Sequence, residues 1–293
     1  MGYRTVSFLV AVACFLAWPF AGCDSPVALV GEAQTELATR ITLKLGEDTA
    51  LTLIHVRPGT FRMGSVDNEP GRKDDELRHV VTITKPFYLA ATETTQAQWR
   101  AVMQDNPSLL WGADRPVEHV CWNRVVVFCE KLSEASGLAV RLPTEAEWEY
   151  ACRAGSEAQF CGGDDAEDLD EYAWFQGNSG PSKTRPVTGK RANAWGFYDM
   201  HGNVREWCMD WYAPYSSEAT IDPAGPEQGT KKVIRGGSWG YVASLCRSAS
   251  RQARSPDHRN GYVGFRIAAG LGDLMYAIKP DKTTDPSNER STR

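Results

Sequence analysis

Apolar and polar positions alternate over short stretches near the start of the body of this chain. Leu51, Leu53 and Val56 lead into Pro58-Gly59, followed by Phe61 and Met63, a pattern that predicts strand, tight turn, strand. Val80 to Ile83 alternates again and predicts another strand. The period then lengthens. Thr95 and Gln98 form a capping box ahead of Trp99 and Val102. Asn123 is placed to cap a helix that carries Val125, Phe128, Cys129 and Leu132 on one face, with Gly137 as its stop. Thr144 and Glu147 form a second capping box directly after Pro143, opening a helix through Trp148, Tyr150 and Ala151. From Gly162 to Gly240 helix signals are few and Gly, Asn, Trp and Asp are dense. An irregular stretch of that length inside a compact domain needs internal ties, either buried polar networks or metal ions.

Both ends of the chain read differently. Arg4 precedes an apolar run from Val6 to Phe20 interrupted by Pro19, and Phe20-Ala21-Gly22-Cys23 follows. This is the pattern of a bacterial export signal over residues 1–22. The small-small-Cys ending resembles a lipobox, which makes Cys23 the expected lipidated first residue of a protein anchored to a bacterial membrane, in the periplasm or at the cell surface. Cleavage near Ala21 or Gly22 with plain secretion is the alternative. Residues 23–48 are expected to be a linker, 49–271 one domain, and 272–293 a disordered tail.

Composition narrows the classes further. The chain has 293 residues, 42% hydrophobic and 24% charged, with a net charge of −5 and 10 Trp. It is neither a membrane bundle nor low-complexity, and it lacks the basic excess of a nucleic-acid binder. Setting aside Cys14 and Cys23 leaves Cys121, Cys129, Cys152, Cys161, Cys208 and Cys246, with no C-x-x-C pair for a zinc knuckle or thioredoxin-type site.

Five segments are distinctive. They are Phe61-Arg62-Met63-Gly64-Ser65; the run Arg141-Leu142-Pro143-Thr144-Glu145-Ala146-Glu147-Trp148-Glu149-Tyr150-Ala151-Cys152-Arg153; the run Trp195-Gly196-Phe197-Tyr198-Asp199-Met200-His201-Gly202-Asn203-Val204-Arg205-Glu206-Trp207; Arg235-Gly236-Gly237-Ser238-Trp239; and Val263-Gly264-Phe265-Arg266. In order and spacing they resemble the formylglycine-generating enzyme (sulfatase-modifying factor) family, from about residue 50 to 270. The resemblance implies an α+β, C-type-lectin-like fold with little regular structure and a mixed sheet at its centre. It also implies an activity, the oxidation of a sulfatase cysteine to formylglycine with molecular oxygen and copper(I) held by two thiolates.

The chain departs from that pattern where the chemistry sits. The two copper cysteines of the family correspond to Tyr241 and Cys246, so only the second is kept. Copper(I) is soft and favours two opposed thiolates, whereas a neutral phenol is a hard, weak ligand. Arg205 stands where the family places an active-site Trp, adding a fixed charge and five donors that could lower a thiol's pKa or anchor an anionic ligand. Ser238 matches the family's active-site serine. Asp199, Gly202, Val204 and Glu206 match a structural calcium site, and hard oxygen donors flanking a Gly turn suit that ion. A second calcium site of the family meets Trp174 here and is not expected. Cys129 and Cys152 match half-cystines whose partners fall near Ile267 and Arg251, so that pairing cannot form.

Arg247, Arg251 and Arg254 form a basic run whose expected role is internal pairing with the acidic stretch Asp164 to Glu171. Asn68-Glu69-Pro70 resembles a lectin triplet only by chance, and His79, His119 and His201 show no catalytic spacing. Two readings follow. One is a calcium-stapled binding or assembly module for a sulfatase or another exported protein or peptide. The other is a formylglycine-generating oxidase with Cys246 as its reactive thiol.

Overall fold

The computed structural model describes residues 28–30, 38–180 and 183–270. The signal, Cys23 and the tail lie outside the described residues. The first half holds β1 (Ala28–Val30), β2 (Arg40–Lys44), β3 (Ala50–Val56), β4 (Gly59–Met63), β5 (His79–Ile83), β6 (Phe87–Ala90), α1 (Gln96–Met103) and α2 (Trp122–Ser136). The second half holds β7 (Val140–Arg141), α3 (Glu145–Arg153), α4 (Ala166–Tyr172), β8 (Arg205–Trp211), β9 (Thr220–Ile221), β10 (Lys232–Arg235), β11 (Arg251–Arg254), β12 (Val263–Gly264) and β13 (Ala268–Gly270). They make a six-stranded sheet in the order β1-β2-β3-β6-β13-β7, a four-stranded sheet β11-β10-β8-β12 and a three-stranded sheet β4-β5-β9. The four-stranded sheet is mixed, since β8 and β12 run parallel. Among the described residues no helix is long and apolar enough to cross a membrane.

Both capping boxes form, with reciprocal bonds between Thr95 and Gln98 and between Thr144 and Glu147. The second helix starts two residues earlier than expected: Cys121, not Asn123, is its N-cap. It stops at Gly137, whose φ of 71° lies in the left-handed region that glycine enters without strain. Two further expectations are corrected. The strands either side of Pro58 do not pair as a hairpin: β3 pairs with β2 and β6, and β4 pairs with β5. A two-residue hairpin turn needs a positive φ that Arg57-Pro58 cannot supply cheaply, so the chain crosses from one sheet to another there. The stretch 23–48, expected as a linker, contains β1 and β2, and Ile41 and Leu43 of β2 are buried.

The core has two main parts. In one, Trp99 of α1 stacks on Phe128 of α2 at 5.4 Å, and Phe265 meets both rings edge-on. In the other, α3 is buried along its whole length against β8 and β10. The irregular half is tied by buried ion pairs, as a loop-rich interior requires. Arg235 pairs with Glu149, Arg251 with Glu145, Arg266 with Glu206, and Arg247 with Glu69 and Glu76. Internal pairing of the basic run is therefore correct for Arg247 and Arg251, but the partners are not the stretch 164–171. Asp170 and Glu171 of that stretch face Lys190 and Arg191 instead. Part of it is helical, because α4 runs along it with Leu169 buried.

Candidate functional site

The site is built where β8 begins and β10 ends. β10 runs out into Gly236 and Gly237, with φ of 93° and 72°. A Cβ on Gly237 would stand 2.4 Å from the Cys246 sulfur, so only glycine lets the chain pass that close. Ser238 follows, fully buried. Its carbonyl accepts from the Tyr241 backbone at 3.0 Å, and a single 3₁₀ turn over Ala243–Leu245 then delivers Cys246 into the interior. Across from it, the Arg205 backbone N–H bonds the Tyr262 carbonyl at 2.7 Å, aiming the side chain at the same place. The structure thus gathers Arg205, Ser238, Tyr241 and Cys246. Around them stand Trp239 stacked on Tyr262 at 4.6 Å, and Tyr241 edge-on to Tyr262 at 5.7 Å. Tyr262 and Gln252 were not legible as site residues, because only the pairing of distant strands brings them here.

Electrostatics at this point are unusual. The Arg205 guanidinium lies 3.6 Å from the centre of the Tyr241 ring, and one nitrogen donates to Gln252 Oε1 at 2.5 Å. The other, Nη2, has no acceptor, and neither does the Ser238 hydroxyl. Arg205 is only 4% exposed. Burying a guanidinium without a counter-ion costs on the order of several kcal/mol. A stack on one aromatic ring returns about 0.5–2 kcal/mol. Burial accordingly holds the Arg205 pKa down to about 10, with Arg254 opposing its charge as well.

Cys246 is fully buried, and burial pushes its thiol up to about 12 despite a backbone hydrogen bond from Ser238 and the nearby Arg205. It is a protonated thiol at neutral pH. These donors do not fit copper(I): only one thiol stands here, the second position is a phenol-bearing ring under a guanidinium, and that cation repels another. The six cysteines among the described residues are all free thiols. Cys129 and Cys152 are buried with thiols raised to about 12, so the expected mismatch of half-cystines leaves them as core residues. His201 is likewise satisfied: Nε2 accepts from Cys161 N at 3.1 Å while Nδ1 bonds the Cys246 carbonyl at 2.7 Å.

The residues matched to calcium sit nearby but do not converge as one set. Both Glu206 oxygens are held at 2.7 Å by Arg266, and Trp148 Nε1 donates to one of them at 2.7 Å. That carboxylate is not free for an ion. Asp199, at φ 55°, accepts from Thr188 N at 3.0 Å and keeps Oδ1 buried without a partner. Gly202 contributes its backbone, held to Gly236 by a 2.7 Å bond, and Val204 N donates to Glu93 Oε1 at 2.9 Å. Glu93 is the acid the sequence did not flag. Its carboxyl is pushed well up by burial and by the charges of Asp199 and Glu206. Burial raises Asp199 to about 6. Three buried acids thus share one guanidinium, Arg266. Asp199 fits a hard cation and Glu206 does not. Among the described residues no group of three or more His, Cys, Asp or Glu side chains is arranged to hold a metal ion.

Comparison with known proteins places this arrangement. The sulfatase-modifying factor enzyme 1-like domain matches residues 44–271. The chain belongs to that family. It is similar to the formylglycine-generating enzyme of Streptomyces coelicolor, 36% identical over 188 residues, which are 59% of this chain and 58% of the relative. The match thus spans little more than half the length of that relative. It is also similar to the chaperone protein LppX of Paenibacillus barcinonensis, 32% identical over 52% of this chain and 69% of the relative. Among solved structures, Treponema denticola variable protein 1 superposes with a TM-score of 0.74 at 30% identity, covering 80% of this chain and all of that one. The expected α+β, C-type-lectin-like fold of the sulfatase-modifying-factor family is therefore the fold found.

Proposed function

We propose that this chain is an exported, lipid-anchored member of the sulfatase-modifying-factor family that works as a binding or assembly module rather than as an oxidase. The observation that carries the reading is the pairing of Tyr241 with Arg205. Where a second soft sulfur would have to stand, a cation lies on an aromatic ring, beside the one remaining thiol, Cys246. A relative of similar identity bears the name of a chaperone, which supports a role in handling another exported protein or peptide. Calcium would staple the module through Asp199 and neighbouring backbone carbonyls, and the excess of buried acid over Arg266 supports a need for such an ion.

The test uses the purified chain loaded with copper(I) under oxygen, offered a Cys-x-Pro-x-Arg peptide. The expected result is no oxygen uptake and no loss of peptide thiol. Turnover that disappears in Cys246→Ala would establish the oxidase instead. A parallel thermal melt tests the calcium arm: calcium is expected to raise the midpoint of the wild type and not of Asp199→Asn. An identical response in the two proteins removes calcium from the proposal.

A further inference from the structure

Among the described residues, buried arginines follow a rule with one exception. Arg153, Arg235, Arg247, Arg251 and Arg266 each meet a carboxylate within the fold. Arg205, equally buried, meets none among the described residues. Its charged neighbour is another cation, Arg254, which also lacks a carboxylate partner there and bonds only the Ala253 carbonyl, at 2.8 Å. His258 senses both arginines. A guanidinium taken out of water needs a counter-charge, and the fold does not supply it here.

We propose that a ligand carboxylate is the missing counter-ion, held by Arg205 Nη2 and the Ser238 hydroxyl, with Arg254 at the mouth and Tyr241 as the cover. The donor set argues for this class. A charged N–H donor bonds a carboxylate strongly, and with Nη1 already given to Gln252, Nη2 and the Ser238 hydroxyl are the two buried donors left unused at the site. Of the two arginines only Arg205 is buried, so the enclosed end of the site matches a monoanion, and a dianionic phosphate would carry a larger desolvation cost there. The outer wall is Tyr241, Gln252, Arg254 and Tyr262, all partly exposed. Tyr241 lies in the irregular segment after β10, held to the guanidinium and to Tyr262 through its ring, so turning it aside opens the way to Nη2. Trp239 and Tyr262 then offer a stacked aromatic floor for the body of the ligand.

The inference deepens the binding-module reading and rests on it. Its test titrates the full chain at constant ionic strength with acetate, inorganic phosphate and a blocked Gly-Glu-Gly amide, with Gly-Gln-Gly amide as control. The readouts are the thermal midpoint and intrinsic Trp and Tyr fluorescence. Acetate and the Glu peptide are expected to give saturable responses, and the Gln peptide none. Arg205→Lys should weaken binding about tenfold or more, because a single ammonium cannot bond Gln252 and the carboxylate in the places the two guanidinium nitrogens occupy. Arg205→Met should abolish it while raising the ligand-free midpoint, since it removes an unpaired buried charge. Should Arg205→Met fail to fold, Arg254→Gln serves, with severalfold weaker binding expected. Comparable affinity for acetate and the Glu peptide assigns the site to a small free acid, and much tighter peptide binding assigns it to an acidic partner segment. No saturable carboxylate response, an undiminished response in Arg205→Met, or phosphate binding tighter than acetate overturns the proposal. Oxidation of the sulfatase-type peptide with carboxylate binding intact would remove only the module reading. Absence of both would remove only this one.

Discussion

Asp210 shows how much one buried acid shapes this protein's response to pH. It is 4% exposed, and its Oδ2 accepts from the Glu145 backbone at 2.8 Å, at the first turn of α3. Burial, and then the charge of Glu145, push its carboxyl up to about 7. The sign follows from linkage. An acid whose pKa is higher folded than unfolded binds more protons in the native state, so its contribution falls as pH rises from the unfolded value near 4 to about 7. The scale is ~1.4 kcal/mol for each pH unit of difference. Asp210→Asn keeps the acceptor and drops the titration. It is expected to gain stability relative to wild type as pH climbs through that window, and to match it near pH 4. Urea midpoints taken across the window decide this, and a constant difference would refute the assignment. At this scale the sequence was only partly legible. That Arg247 and Arg251 are ion-paired could be read, because buried charge demands it. That Glu69, Glu76 and Glu145 are the partners could not, since they lie more than a hundred positions away. Tyr241 and Cys246 were readable as a broken pair, but the ring resting under Arg205 was not.

Elements were legible where their signals are local. The Thr144 box illustrates this, since its bonds join residues three apart. Thr144 Oγ1 accepts from Glu147 N at 3.1 Å, and Glu147 Oε2 accepts from Thr144 N at 2.8 Å. The same glutamate binds Arg141 of β7 with both oxygens, at 2.6 and 2.7 Å, so the cap also ties the helix start to the six-stranded sheet. Thr144→Ala is expected to lower stability by about 1 kcal/mol, and Thr144→Ser to keep most of it. A shifted urea midpoint with unchanged slope would confirm a loss of stability alone. Equal loss in both variants would mean that the methyl group, not the hydroxyl, matters. Strands fared less well for a physical reason. β3 and β4 look like a hairpin because they are adjacent in sequence, yet each finds its partners in a different sheet. Strand pairing depends on distant residues that no local pattern specifies.

At the scale of the whole molecule, the question is where the domain begins. Residues 40–44 look polar enough for a tether, with Arg40 and Lys44 at the ends and Thr42 between. Alternation hides a strand there: Ile41 is 5% exposed and Leu43 not at all, and β2 pairs with β3 along its full length. β3 carries Leu51 and Leu53 into the main core and pairs on its other side with β6. The chain leaves β6 for Glu93, whose carboxylate holds Asn203 and Val204 just ahead of Arg205. β2 and the candidate site are thus joined through β3, β6 and Glu93. A chain beginning at Leu45 loses two buried aliphatic side chains, each worth ~1.5–3 kcal/mol. That is a large part of a typical domain stability of about 5–15 kcal/mol. It also bares the edge of β3, a template for pairing between molecules. The truncated chain is expected to unfold at markedly lower urea and to self-associate on size exclusion, whereas a chain beginning at Asp24, which keeps β1 on the edge of β2, behaves as the full one. If both shortened chains melt alike and stay monomeric, β2 is an ornament on the sheet, and the domain starts where the polar pattern first suggested.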